Sequence, residues 1–137
     1  MAGFCKKLPR PEYLNLSKID LQNDWFEVYQ VAPGVTAIYE PFQWQEVISY
    51  LIEGQESALL FDTGNGIADI APVIESLTNK PVSVLNSHSH YDHVGGNYAF
   101  EYILTLNLLK TDNKDIITQI MLLKFPNKPC VGSYQKV

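Results

Sequence analysis

Ser87-His88-Ser89-His90-Tyr91-Asp92-His93-Val94-Gly95-Gly96-Asn97 is the stretch from which the rest of this chain can be read. It holds all 3 histidines of a 137-residue protein. Three histidines scattered by chance almost never fall within six consecutive positions. On an extended segment, residues two apart project to the same side, so His88 and His90 can share one cation. Asp92 and His93 follow where the chain turns and can face a second, adjacent cation. Imidazole and carboxylate donors suit Zn2+, and also Fe or Mn2+. Gly95 and Gly96 let the backbone bend tightly and approach the metal or a substrate. A bare His-x-His reads equally well as an incidental surface loop. The full His-x-His-x-Asp-His, set after an apolar strand and before Gly-Gly-Asn, favours the metal. A cation held there lowers the pKa of bound water, and the hydroxide attacks an ester, amide, thioester or phosphate bond. Asp92 is the candidate catalytic residue, placed to orient that hydroxide.

Upstream, the pattern is mostly that of β-strands. Val82-Ser83-Val84-Leu85 reads as the strand that delivers the loop. Ile67, Ile70, Ala71, Ile74 and Leu77 recur at three- and four-residue steps, the signature of one helix face. Pro72 fits that helix only in its first turn, with Asp69 as cap. Ala58-Leu59-Leu60-Phe61, apolar on both faces, reads as a buried strand ending at the turn cluster Asp62-Thr63-Gly64-Asn65-Gly66. Val47–Ile52 reads as another strand. Trp25–Val31 and Val35–Tyr39, joined by Pro33-Gly34, read as a hairpin. Residues 1–24 read as an irregular lead-in and 25–100 as the domain proper. Residues 101–137 change character, with a helix expected around Lys114–Lys124.

These residues resemble the metallo-β-lactamase superfamily. The resemblance rests on His88 through His93 with Val94-Gly95-Gly96-Asn97, and on Tyr50-Leu51-Ile52 and Ala58-Leu59-Leu60-Phe61-Asp62-Thr63-Gly64, a strand ending in Asp-Thr-Gly. It covers roughly residues 25–100 and is specific at superfamily level. It implies an α/β (α+β) αββα sandwich, with the first half represented, and a hydrolase using one or two Zn2+ (Fe or Mn in some relatives) on a small-molecule substrate. In that pattern His88 and His90 serve the first metal, and Asp92 and His93 the second. Asp62 is implied to stand behind the metal ligands, accepting an N–H from a ligand histidine or lying near the metals. The competing reading is that Asp62 braces the Thr63-Gly64 turn.

Family members supply further ligands beyond this loop, including another histidine to the first metal, and this chain has no histidine after His93. Two readings follow. One is an active hydrolase, in this chain or in a longer protein from which it derives by truncation after Phe100. The other is an inactive fragment, or a metal-binding or interaction module. With half a sandwich, an apolar sheet face lies open and invites a homo-oligomer.

Composition narrows the classes. Hydrophobic residues make up 46 % and charged residues 18 %, the profile of a folded globular domain. A net charge of −5 gives no support for nucleic acid or an anionic membrane as partner. Cys5 and Cys130 share no metal or redox spacing, and no apolar run is long enough to span a bilayer, so the cytoplasm is expected. Trp25, Phe42, Tyr39 and Trp44 read as packing more readily than as a substrate rim. Asp112 and Asp115 sit in a polar stretch and read as a solvated loop. Asn97 either caps the following segment or contacts substrate.

Overall fold

The computed structural model describes residues 11–43 and 45–104. Trp44, Cys5, Cys130, Asp112, Asp115 and the helix expected around Lys114–Lys124 lie outside the described residues.

One mixed seven-stranded sheet organises the chain. Its strands are β1 (Ser17–Ile19), β2 (Glu27–Ala32), β3 (Val35–Tyr39), β4 (Ile48–Glu53), β5 (Ala58–Phe61), β6 (Val82–Leu85) and β7 (Ile103–Leu104), and they lie side by side in that order. The first five pair antiparallel, and β5–β6 and β6–β7 pair parallel. Parallel neighbours need a crossover. Helix α1 (Ala71–Leu77) supplies it between β5 and β6. The strands expected at Val35–Tyr39, Ala58–Phe61 and Val82–Leu85 have those bounds. Pro33-Gly34 turns the hairpin, with Gly34 at φ +72°.

Four elements differ from the sequence reading. Within the expected irregular lead-in, residues 11–15 form a 3-10 turn and β1 pairs with β2. Three-residue strands are too short to show a period. For the same reason β7 is invisible in the sequence, although it adds to the sheet beyond Phe100. Helix α1 starts one residue later than an Asp69 cap implies. Ile70 is the N-cap, and Asp69 Oδ1 instead accepts the Ala71 N–H at 3.0 Å. Pro72 still falls in the first turn, where its missing N–H costs nothing.

The two sheet faces have different fates. Residues alternate along each strand, so Val28, Ile38, Leu51, Leu60 and Val84 share one face. Ile70, Val73 and Ile74 of α1 join them in the core cluster. Leu60 and Val84 are 0 % exposed there. Each such side chain contributes about 1.5–3 kcal/mol by leaving water. The opposite face carries the register row Tyr29, Ala37, Tyr50, Phe61 and Leu85. Tyr13 covers part of it, edge-on to Tyr39 with ring centroids 5.4 Å apart. Tyr50 and Phe61 stay half-buried. Among the described residues, no helix is long and apolar enough to cross a membrane.

The phenols of Tyr29 and Tyr39 are shifted well above their ordinary 10.0, first by burial and then by the carboxylates of Glu27 and Glu46. A raised folded-state pKa stabilises the fold below the unfolded value and is lost as pH climbs from there. Urea midpoints should therefore fall as pH rises from about 10 towards about 12, and Tyr29→Phe should flatten that slope. An unchanged slope in the variant would show that the Tyr29 phenol ionises freely.

Candidate metal centre

Strands β5 and β6 run parallel and end together, so the segments that leave them meet at one edge of the sheet. Ligand sites of α/β sheets lie at such carboxyl ends. The Asp62 N–H donates to Leu85 O at 3.0 Å, which extends the ladder one step past both strands. Asp62 thereby lies beside Asn86 and Ser87, at the mouth of the histidine loop.

Asp62 is 3 % exposed and has φ +61°, unusual for a residue with a Cβ. Its carboxylate is fully engaged. Oδ1 accepts the Ser87 N–H at 2.7 Å, and Oδ2 accepts the Ser87 hydroxyl at 2.8 Å. His93 Nδ1 lies 2.8 Å from the same Oδ2. A carboxylate offers no proton, so Nδ1–H is the donor. The carboxylate thus points at the histidine loop and not at the Thr63-Gly64 turn. That turn is braced by backbone: Thr63 N–H donates to His93 O at 2.9 Å, and Gly95 N–H to Gly64 O at 2.9 Å.

The motif itself is less extended than its spacing implies. Residues 87–89 form a bend, and Tyr91–Val94 make a single helical turn, α2, with His90 as N-cap. The bend begins where Asp62 Oδ1 takes the Ser87 N–H, which therefore joins no strand ladder. The three imidazoles nevertheless gather. The ring of His88 lies 4.5 Å from that of His90 and 4.0 Å from that of His93. His88 and His90 are exposed, and Asp92 and His93 are half-buried. His88, which the spacing pairs with His90 alone, therefore contacts both halves of the motif.

His93 Nε2 stands 3.6 Å from Asp92 Oδ2. Two ligands at about 2.0–2.2 Å from one tetrahedral cation stand about 3.3–3.6 Å apart, so this pair fits a shared metal. Among the described residues, no three His, Cys, Asp or Glu side chains converge as a ready-made metal group. The exposed rings of His88 and His90 pack on their neighbours instead. Imidazole and carboxylate are nevertheless donors of the kind a divalent cation takes.

The glycines serve a purpose the sequence does not disclose. Gly95 packs backbone to backbone against the Asn65–Gly66 turn. A Cβ on Gly95 would lie 2.3 Å from Asn65 C and O, and one on Gly66 2.3 Å from Gly95 O. The close approach seen here is to the neighbouring turn. Asn97 neither caps the following 3-10 turn, whose N-cap is Gly96, nor stands free. Its Nδ2 donates to Asn86 Oδ1 at 2.8 Å, and its Oδ1 accepts from Thr63 Oγ1 at 2.8 Å. Asn86 Nδ2 also donates to His93 O at 2.8 Å. These side chains satisfy a loop that cannot reach a ladder.

Sequence reasoning missed several residues around the motif. Gln45 Nε2 donates to Asp92 Oδ2 at 3.3 Å, and Gln45 Oε1 accepts from Tyr91 OH at 3.0 Å. No local signal marks Gln45. Glu40 is different: like Asp62, it is an acidic residue directly after an apolar strand, and that pattern could have found it. It is 3 % exposed and accepts from Trp25 Nε1 at 2.9 Å and from Asn65 N–H at 2.9 Å. Trp25 meets the exposed Phe42 at a tilt with centroids 5.7 Å apart, and Tyr39 is core.

Gly95→Ala should destabilise the chain by about 3 kcal/mol, because the obstacle is backbone that cannot rotate away. A loss below about 1 kcal/mol in urea denaturation would show that the two turns are not packed this way.

A family model described as the metallo-beta-lactamase superfamily matches residues 44–109. The "Lactamase-like protein ptaB" of Pestalotiopsis fici is 38 % identical over 78 residues, which are 51 % of this chain and 25 % of that protein. The human "Acyl-coenzyme A thioesterase MBLAC2" is 22 % identical over 128 residues, 80 % of this chain and 46 % of that protein. The chain thus spans a quarter of one curated relative and less than half of the other. A solved structure of TMB-1 superposes with a TM-score of 0.46 at 16 % identity, covering 83 % of this chain and 54 % of that one. Over residues 44–109, under half of its length, this chain is thus similar to the metallo-β-lactamase superfamily.

Proposed function

We propose that this chain supplies the first metal-ligating loop of a metal-dependent hydrolase, with His88, His90, Asp92 and His93 as ligands. The observation that carries this reading is the contact of three imidazole rings at the carboxyl ends of β5 and β6, with Asp92 Oδ2 3.6 Å from His93 Nε2 and His93 backed by the buried Asp62 carboxylate. Zn2+ is the favoured ion, since imidazole and carboxylate form its usual hydrolytic set. Such an ion supplies Lewis-acid activation of water and of the scissile bond.

The chain's own residues do the rest. Asp62 holds the His93 ring in one orientation by accepting its Nδ1–H, which leaves Nε2 as the donor atom. Gln45 steers Asp92 by donating to Oδ2, so the other carboxylate oxygen faces away from that bond. Asp92, once oriented, can hold the proton of an attacking water. The exposed His88 and His90 keep the site open to solvent and substrate. Ester, thioester, lactam and phosphoester bonds are the candidate class. The thioester has additional support from the name of the human relative.

Elemental analysis of the purified chain should find about one or two tightly held zinc ions per chain, lost in an Asp92→Ala, His93→Ala double variant. A folded chain that binds no metal, or binds it equally in the variant, would sink the proposal. Turnover of ester, thioester, lactam and phosphodiester substrates then identifies the bond class.

A further inference from the structure

We infer that Ser87 is a positioning residue that commits His88 to the Nδ1–H tautomer, so that Asp62 governs two imidazoles, one directly and one through this hydroxyl. The metal half of this inference rests on the proposed function, and the tautomer half does not.

Ser87 Oγ lies 2.8 Å from Asp62 Oδ2, 2.9 Å from His88 Nδ1 and 3.2 Å from His93 Nδ1. A hydroxyl has one proton and must choose. A bond to a carboxylate is roughly twice as strong as one to a neutral acceptor. The Asp62 contact is also the shortest of the three, and Asp62 is buried where an unmet charge is expensive. The Ser87 proton therefore goes to Asp62. Its Oγ lone pairs remain, and His88 Nδ1 at 2.9 Å can only donate to them. His93 Nδ1–H already points at Asp62 Oδ2 at 2.8 Å, so its longer contact with Oγ is secondary.

The chain of bonds thus runs from His88 Nδ1–H to Ser87 Oγ–H to Asp62, beside a second arm from His93 Nδ1–H to Asp62. Both rings are left with a bare Nε2. Free imidazole favours the opposite tautomer, with the proton on Nε2. Without this arrangement each ring would need to move its proton before using Nε2 as a donor. Ser87 is held for the role from behind as well, since its own N–H is bound by Asp62 Oδ1 at 2.7 Å. The hydroxyl cannot swing away without leaving Asp62 with one donor fewer.

The test is nitrogen-15 NMR of the imidazoles in the metal-free chain, at a pH where they are neutral. With 3 histidines in the sequence, single His→Gln variants assign each signal. The native chain should show the Nδ1–H pattern for His88 and His93. Ser87→Ala should return His88 to the Nε2–H pattern and leave His93 as it was, and Ser87→Thr should restore His88. His93 serves as an internal check that the loop still folds. A native His88 in the Nε2–H form, or one indifferent to Ser87→Ala, overturns the inference without any variant needing to bind metal. Zinc affinity should also fall about tenfold in Ser87→Ala and recover in Ser87→Thr. Unchanged affinity with a changed tautomer would overturn the positioning role. Correct tautomers in a chain that binds no zinc would instead overturn the proposed function.

Discussion

The buried carboxylate of Asp62 is the constraint on which the site depends. It sits in a left-handed backbone conformation that costs a residue with a side chain about 1–3 kcal/mol. Three donors meet it: the Ser87 N–H, the Ser87 hydroxyl and His93 Nδ1–H. Hydrogen bonds to a charged group are worth about 1.5–3 kcal/mol each, so the bonds outweigh the strain. Remove them and the charge would be buried without partners, which is far worse than the strain itself. The conformation, the bend at residues 87–89 and the orientation of His93 therefore stand or fall together.

The sheet explains why this carboxylate meets that loop. Antiparallel strands β1 to β5 make a platform, but the platform alone would send every second strand end away from the site. The crossover through α1 makes β6 parallel to β5, so that both end at the same edge. The hydrophobic contacts of Ile70, Val73 and Ile74 with the sheet hold that crossover in place. Core packing on one face thus sets the positions of polar groups at the edge. Strand β3 runs parallel to β5 as well, which brings Glu40 to the same edge to hold the Asn65 N–H.

Most strands were legible because each is four to six residues long, apolar or alternating, and bounded by Gly, Pro or a polar turn. The motif was legible because its donors are rare residues packed into six positions. Strands β1 and β7 were not, being too short for a period to show. Their existence depends on β2 and β6 offering an unpaired edge. Gln45 was silent for another reason: its tie to Asp92 crosses 47 positions of sequence, and a glutamine in a polar stretch looks the same with or without such a tie.

By itself, the sequence determined which donor types share one loop and the order of β2 to β6 with α1, because donor type and hydrophobic period are local properties. Only the tertiary structure decided the uses of the surrounding residues. It turned Gly95 toward the Asn65–Gly66 turn, locked Asn97 to Asn86 and Thr63, and placed His88 against both other histidines. It also showed that Asp62 faces Ser87 and His93, where the sequence left two roles open. Each of these is a contact between segments far apart in the chain or across a bend, and direction across such a gap is set by packing and by the satisfaction of buried polar groups.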